Sequence, residues 1–117
     1  MGDISPHFSR SEFDSKDGVP APRSFNLGRL VACLEVLREI TDSQPLEIVS
    51  GFRSPQHNLA VGGATSSRHL VAAAADIPAG RVSIAQARSA GFQGIGVARD
   101  GTVSHVDNRT VAAIWYY

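Results

Sequence analysis

Cys33 is the only cysteine among the 117 residues, so no disulfide can close within one chain. It lies inside the apolar rhythm of LVACLEVL and reads as a buried small hydrophobe rather than a nucleophile. Net charge is missing too, since eleven basic residues balance eleven acidic ones. That balance excludes the broad basic footprint required for non-specific binding to nucleic acid or an anionic membrane. No run approaches the ~18 apolar residues of a membrane span. The opening MGDISPHFSRSEFD lacks a basic stretch followed by an apolar one, as a secretory leader would have. The expectation is a monomer made in the cytoplasm without a signal peptide, with neither nucleic acid nor membrane as partner. A target outside the cytoplasm would then require export or release.

There are no repeats or low-complexity tracts, and the hydrophobic content is 43%. A chain of this size buries roughly two-thirds of its unfolded surface, so one domain over residues 1–117 is expected. Ser9-Arg10-Ser11-Glu12 fits a capping box and predicts a short helix around residues 10 to 14. After the turn-rich DGVPAPRS, the residues Leu27, Leu30, Val31, Leu34, Leu37 and Ile40 recur at helical steps from a possible cap at Asn26. LEIVS, Leu46 to Ser50, reads as a strand between Pro45 and Gly51. Ser54-Pro55 restarts a helix that Gly62-Gly63 ends. A second capping box, Ser83 to Gln86, opens another before Gly91. Ile95 and Val97, then Val103, His105 and Asp107, keep strand parity in two further strands. Helices come first and strands cluster later, so the class is α+β, with helices packed on an antiparallel sheet.

Two constellations could carry chemistry. In SSRHLVAAAAD, a continuous helix would set His69 and Asp76 ~10.5 Å apart along its axis, too far for one ion to bridge. If HLV turns and AAAAD enters a strand, the two side chains can converge, and a carboxylate at the end of a buried strand is costly unless it is paired or metal-bound. The alternative is a turn aspartate before Ile77-Pro78 and an ordinary surface histidine. In TVSHVDNR, His105 and Asp107 would share a strand face ~6.6 Å apart at Cα, as a metal edge or a charge-relay pair. Together the two segments supply two histidines, an aspartate and one further carboxylate. Three nitrogen and oxygen ligands with a fourth position left to water is the composition of a catalytic zinc site.

SGFRSPQHNLAVGGATSSRHLVAAAAD followed by GFQGIGVARDGTVSHVDNR resembles the zinc peptidases of the D-alanyl-D-alanine carboxypeptidase family, within the group that also holds lysostaphin-like enzymes and the hedgehog fold. The family pattern is SGxRS, then SxHxxGxAxD, then a C-terminal HVD or ExxH segment. The resemblance runs from His7 to Trp115. It implies a hedgehog/DD-peptidase-like fold, one Zn2+ per chain bound by His69, Asp76 and His105, and Arg53 and Ser67 at the substrate. It also implies that the substrate is a bacterial peptidoglycan peptide containing D-amino acids. Ala72 stands at the family glycine, and Thr102 stands where some members hold the acidic general base.

Asp107 is therefore the expected base, with an orienting role behind His105 and a passive strand position as alternatives. Asp100, whose Asp-Gly pair is a hairpin turn signal, is the outside candidate. His57 and His7 have no partner at ligand spacing and are taken as non-ligands. The activity expected is metal-assisted amide hydrolysis, as carboxypeptidase or endopeptidase, in a phage lysis or virion-associated enzyme or a prophage remnant. The alternatives are a catalytically silent metal-binding module that recognises wall peptides, and a structural protein of a phage particle.

Overall fold

The computed structural model describes residues 4–21, 27–41, 45–63, 67, 69 and 73–117. Its elements run as a 3-10 turn (Arg10–Phe13), α1 (Gly28–Ile40), α2 (Pro55–Ala60), β1 (Ala74–Asp76), α3 (Ile84–Ser89), β2 (Gly94–Val97), β3 (Val103–Asp107) and β4 (Ala113–Tyr116). The class is α+β. Among the described residues no helix is long and apolar enough to cross a membrane.

The capping residues act as their chemistry dictates. The Glu12 carboxylate accepts from the Ser9 amide at 2.8 Å, and the Ser54 and Ser83 hydroxyls accept from the His57 and Gln86 amides, each at 3.1 Å. Pro55 takes the first helical position of α2, where its missing N–H costs nothing. Along α1 the predicted face is buried at Leu30, Val31, Leu34 and Leu37. Ile40, in the last turn, is instead exposed, and Cys33 is only partly buried against the core, where burial pushes its thiol pKa up. The cap expected at Asn26 lies outside the described residues. A strap from the N-terminal segment ties down on α1: the Ser5 hydroxyl and the His7 amide donate to Glu35 Oε2 at 2.6 and 2.8 Å, and His7 Nδ1 meets Oε1 at 2.7 Å.

LEIVS forms no strand. Leu46 and Ile48 are buried while Val49 is exposed, an alternation of the expected kind, but pairing stops at a single bridge between Ser50 and Asp76. The reason is local. β1 has only three residues, the next amide, Ile77, is committed to the Ser104 carbonyl at 3.0 Å, and Pro78 has no N–H to offer.

The sheet order is β1-β3-β2-β4, antiparallel across β1, β3 and β2, with β4 added as a parallel edge beyond the strands expected from the sequence. Two cross-strand rungs matter for function. Asp76, His105, Gly96 and Trp115 lie side by side, and Ala74, Asp107, Gly94 and Ala113 form the next rung. The residues between them, Ala75, Val106 and Ile95, turn to the other face and join the core with Leu34, Leu37 and Phe92. Parity alone would have put Val103 beside His105. The register skips Ser104, however, so that Val103 pairs with Val97. This one-residue bulge turns Val103 to the core while His105 and Asp107 keep the opposite face.

Candidate metal centre

Asp76 ends β1, His105 sits opposite it on β3, and His69 comes from the segment before β1. His69 Nε2 is 3.2 Å from Asp76 Oδ1, His105 Nδ1 is 2.9 Å from the same oxygen, and the two ring nitrogens are 3.3 Å apart. Ala74 and Ala75 are both fully buried, so β1 is packed on both faces beside Asp76. Asp76 lies in β1 and its carboxylate meets the His69 ring, so a continuous helix from His69 to Asp76 is excluded.

Hydrogen bonding at the outer nitrogens fixes what the inner ones present. His69 Nδ1 lies 2.6 Å from the Gly51 carbonyl, which can only accept, so Nδ1 carries the proton. His105 Nε2 lies 2.8 Å from Asp107 Oδ2, an ionised carboxylate that also only accepts. In the neutral rings, His69 Nε2 and His105 Nδ1 are then bare lone pairs, and both point at a third acceptor, Asp76 Oδ1. Three acceptors at van der Waals distance repel one another unless a cation or a proton lies between them. Tetrahedral bonds of about 2.0–2.1 Å space neighbouring ligands at about 3.3 Å, which matches the observed edges of 2.9 to 3.3 Å. Outer nitrogens donating to a carbonyl and a carboxylate are also what metal-binding histidines show. His69, Asp76 and His105 can therefore hold a metal ion.

The charges respond to this crowding. Burial pushes the Asp76 carboxyl up, but where a proton rather than a cation lies between it and the rings, hydrogen bonds and charge from His105 and His69 outweigh burial and hold it well below the usual carboxylate range. Burial pulls His105 down, but its bonds to Asp107 and Asp76 raise it above its ordinary value.

The cluster opens on a cleft of about 650 Å³ lined by Arg53, Ser67, His69, His105, Arg109 and Trp115, with Val61 to Gly63 and Tyr117 at its sides. Arg53 extends from the stretch between Ser50 and α2, its Nη2 3.3 Å from Asp76 Oδ2 and its Nη1 2.9 Å from Asn58 Oδ1. Ser67 Oγ accepts from the His69 amide at 3.2 Å. His7 and His57 lie away from the cluster, the first on Glu35 and the second in α2.

The comparisons with known proteins bear directly on this arrangement. Residues 6–107 match the family described as Peptidase M15. The chain belongs to the Peptidase M15 family. It is 39% identical over 83 residues to the zinc D-Ala-D-Ala carboxypeptidase of Streptomyces albus G, a match covering 68% of this chain and 32% of that relative. The chain thus spans about a third of the length of the curated relative it matches.

In this M15 chain Asp107 lies behind His105, on the side away from the cluster, and is completely buried. Its Oδ1 accepts from the Arg109 backbone amide and Nε at 3.1 and 2.8 Å, and its Oδ2 from Arg109 Nη2 and His105 Nε2 at 2.7 and 2.8 Å. Burial pushes its carboxyl up, yet the bonds from Arg109 and His105 prevail and hold it well below the usual range. An ionised carboxylate has about four acceptor positions, and all are used. This geometry is that of the orienting alternative rather than of the expected general base: Asp107 faces His105 and has no lone pair left to turn toward the cleft. Asp100 is no substitute. It is exposed in the β2–β3 turn, where Oδ1 accepts from the Thr102 amide and hydroxyl at 2.9 and 2.6 Å. Thr102 Oγ1 in turn accepts from the Gly80 amide at 2.6 Å. Ala72 lies outside the described residues. Sequence reasoning passed over Arg109, Trp115, Gly94 and Gly96, although GIG sets two glycines on one strand face and DNR puts a cation two residues past the aspartate.

Proposed function

We propose that this chain is a zinc-dependent peptidase that hydrolyses amide bonds in the stem or cross-link peptides of bacterial peptidoglycan, with one zinc held by His69, Asp76 and His105. The observation that carries this reading is the convergence of three bare acceptors on one point, at the edge lengths of a tetrahedral site. Three nitrogen and oxygen ligands with an open fourth position characterise catalytic rather than structural zinc.

When bound, zinc supplies Lewis acidity to the reacting carbonyl and water. The chain's own groups do the rest. His69 and His105 keep their protons on the outer nitrogens, leaving the inner nitrogens bare. Arg53 steadies Asp76 through Oδ2, so that Oδ1 stays on the histidines, and its guanidinium faces the cleft where a substrate oxygen gaining negative charge would meet it. Ser67 offers a hydroxyl on the same wall. In this reading residues 1–117 act as one domain and as a monomer, on wall peptides reached after release, after export or from a virion. A phage or prophage lytic role is its finest part.

One observation favours a second reading. The described residues lining the cleft include no aspartate or glutamate, and Thr102 faces Asp100 rather than the cluster. A metal-binding module that recognises wall peptides without cutting them would have this composition. Digestion of purified peptidoglycan with the zinc-loaded protein, followed by mass spectrometry of the muropeptides, separates the two. Loss of a terminal residue identifies a carboxypeptidase, and cleaved cross-links identify an endopeptidase. Unchanged muropeptides alongside stoichiometric zinc would leave the silent module.

A further inference from the structure

His105 differs from His69 in what supports it, and the support continues past the first partner. Behind His105 stands Asp107, and behind Asp107 stands Arg109, which donates three of the four hydrogen bonds that Asp107 accepts. Arg109 in turn lies over the indole of Trp115, its guanidinium carbon 4.7 Å from the ring centroid. The Trp115 ring closes the loop by packing on His105 itself, with centroids 5.1 Å apart.

Two glycines make room for this circuit. A Cβ on Gly94 would come within 2.0 to 2.4 Å of all three Asp107 carboxylate atoms. A Cβ on Gly96 would lie 3.0 Å from His105 Cβ and Trp115 Nε1. The central strand β2 therefore has no side chains where Asp107 and the two rings must lie. Planar, bidentate contact by a guanidinium is the geometry that fixes a carboxylate's rotation, and an ammonium cannot reproduce it.

We infer that Arg109 is a positioning residue for the metal centre: it locks Asp107 in the rotation that points His105 Nδ1 at the cluster, and Trp115 holds Arg109 in place from the edge strand. The inference rests on the zinc reading above. It assigns to β4, a strand that contributes no ligand, a part in the affinity of the site.

The test is zinc affinity by chelator competition for the parent, Arg109→Met, Arg109→Lys and Trp115→Leu, with Co2+ absorption as a reporter of ligand geometry and thermal unfolding of the metal-free proteins alongside. Arg109→Met should lose about 10 to 100-fold in zinc affinity, the scale for a lost outer partner of a ligating histidine. Its Co2+ bands should shift, and its activity on wall peptides should return at raised zinc. Arg109→Lys should fall between it and the parent, and Trp115→Leu should lose less than Arg109→Met. Parental zinc affinity and Co2+ spectrum in Arg109→Met would overturn the inference and leave the zinc reading intact. If Arg109→Met fails to fold, Arg109→Lys decides, because parental zinc affinity there overturns the inference and a loss rescued by excess zinc supports it. A parent chain that takes up no zinc overturns both.

Discussion

The two histidines of the cluster occupy regions that support them in opposite ways. His69 lies between α2 and β1, outside the sheet, and its outer nitrogen is held by a backbone carbonyl, that of Gly51. Gly51 is itself wedged against the 3-10 turn: an added Cβ would meet Phe13 Cα at 2.8 Å, and the Phe52 amide donates to the Phe13 carbonyl at 2.8 Å. His105 belongs to the central sheet, and its outer nitrogen is held by side chains, Asp107 and then Arg109. A carbonyl support uses no side chain of its own residue and fails only if the backbone moves, as a Cβ forced against Phe13 at Gly51 would make it do. A carboxylate support can be removed by one codon. The loop ligand is thus tied to the fold as a whole, and the sheet ligand is adjustable.

The largest expected effect breaks both supports at once. Asp76→Ala removes the oxygen on which both rings converge, and elemental analysis after zinc resupply should find no stoichiometric metal. Retained zinc at one per chain would sink the assignment of the cluster. Gly51→Ala comes next and strikes the loop side alone. A Cβ cannot fit against Phe13, so thermal stability and zinc affinity should fall together, by about 1–3 kcal/mol in stability, the range for overpacking a filled site. Asp107→Asn strikes the sheet side alone. Zinc affinity should drop by about 10 to 100-fold, excess zinc should restore turnover, and the metal-free melting temperature should also fall because Arg109 and His105 lose a buried carboxylate partner. Arg53→Ala leaves both histidine supports untouched, so zinc should stay bound while kcat/KM falls by about 10²-fold, as for a lost charge-stabilising donor. Normal kcat/KM in that variant would return Arg53 to a purely structural role.

The smallest effect concerns neither support and serves as the control. At Glu35, burial pushes the carboxyl up, but the bonds from Ser5 and His7 outweigh it and hold it below its ordinary 4.5. A depressed carboxylate stabilises the fold fully above its ordinary value and loses that contribution as the pH falls through the depressed one. Melting temperature should therefore decline on acidification below about pH 4.5, by less in Glu35→Gln than in the parent, with zinc affinity at neutral pH equal in the two. An identical acid limb in Glu35→Gln would dissociate the strap from stability.

The grouping of His69, Asp76 and His105 was legible in the sequence because their chemistry and order are distinctive, and a family pattern supplied the spacing. The capping boxes and the Ser54-Pro55 start were legible because each is a local hydrogen-bond rule. Three things were not. Parity placed His105 and Asp107 on one face but could not say which ring nitrogen would meet the aspartate, and that choice separates a base from an orienting partner. The composition and bounds of LEIVS predicted a strand, but strand status needs a partner ladder, and Ile77 and Pro78 withhold one. The bulge at Ser104 and the parallel docking of β4 on β2 are set by distant residues, and nothing in their own segments announces them. Gly94 and Gly96 look like ordinary strand weakeners until the carboxylate and the rings that need their space are in view.

The strand order has a consequence for a chain emerging from the ribosome. β1 pairs with β3 and with no other strand of the sheet, yet α3 and β2 are translated between them. Until residue 107 has cleared the exit tunnel, the nascent segment holds His69 and Asp76 beside an unpaired alanine strand, two ligands without the third. On the zinc reading, metal capture would thereby fall late in synthesis, after the core helices have been made. A synonymous pause placed before Val103 would lengthen the interval in which that strand stands open to the wrong neighbour.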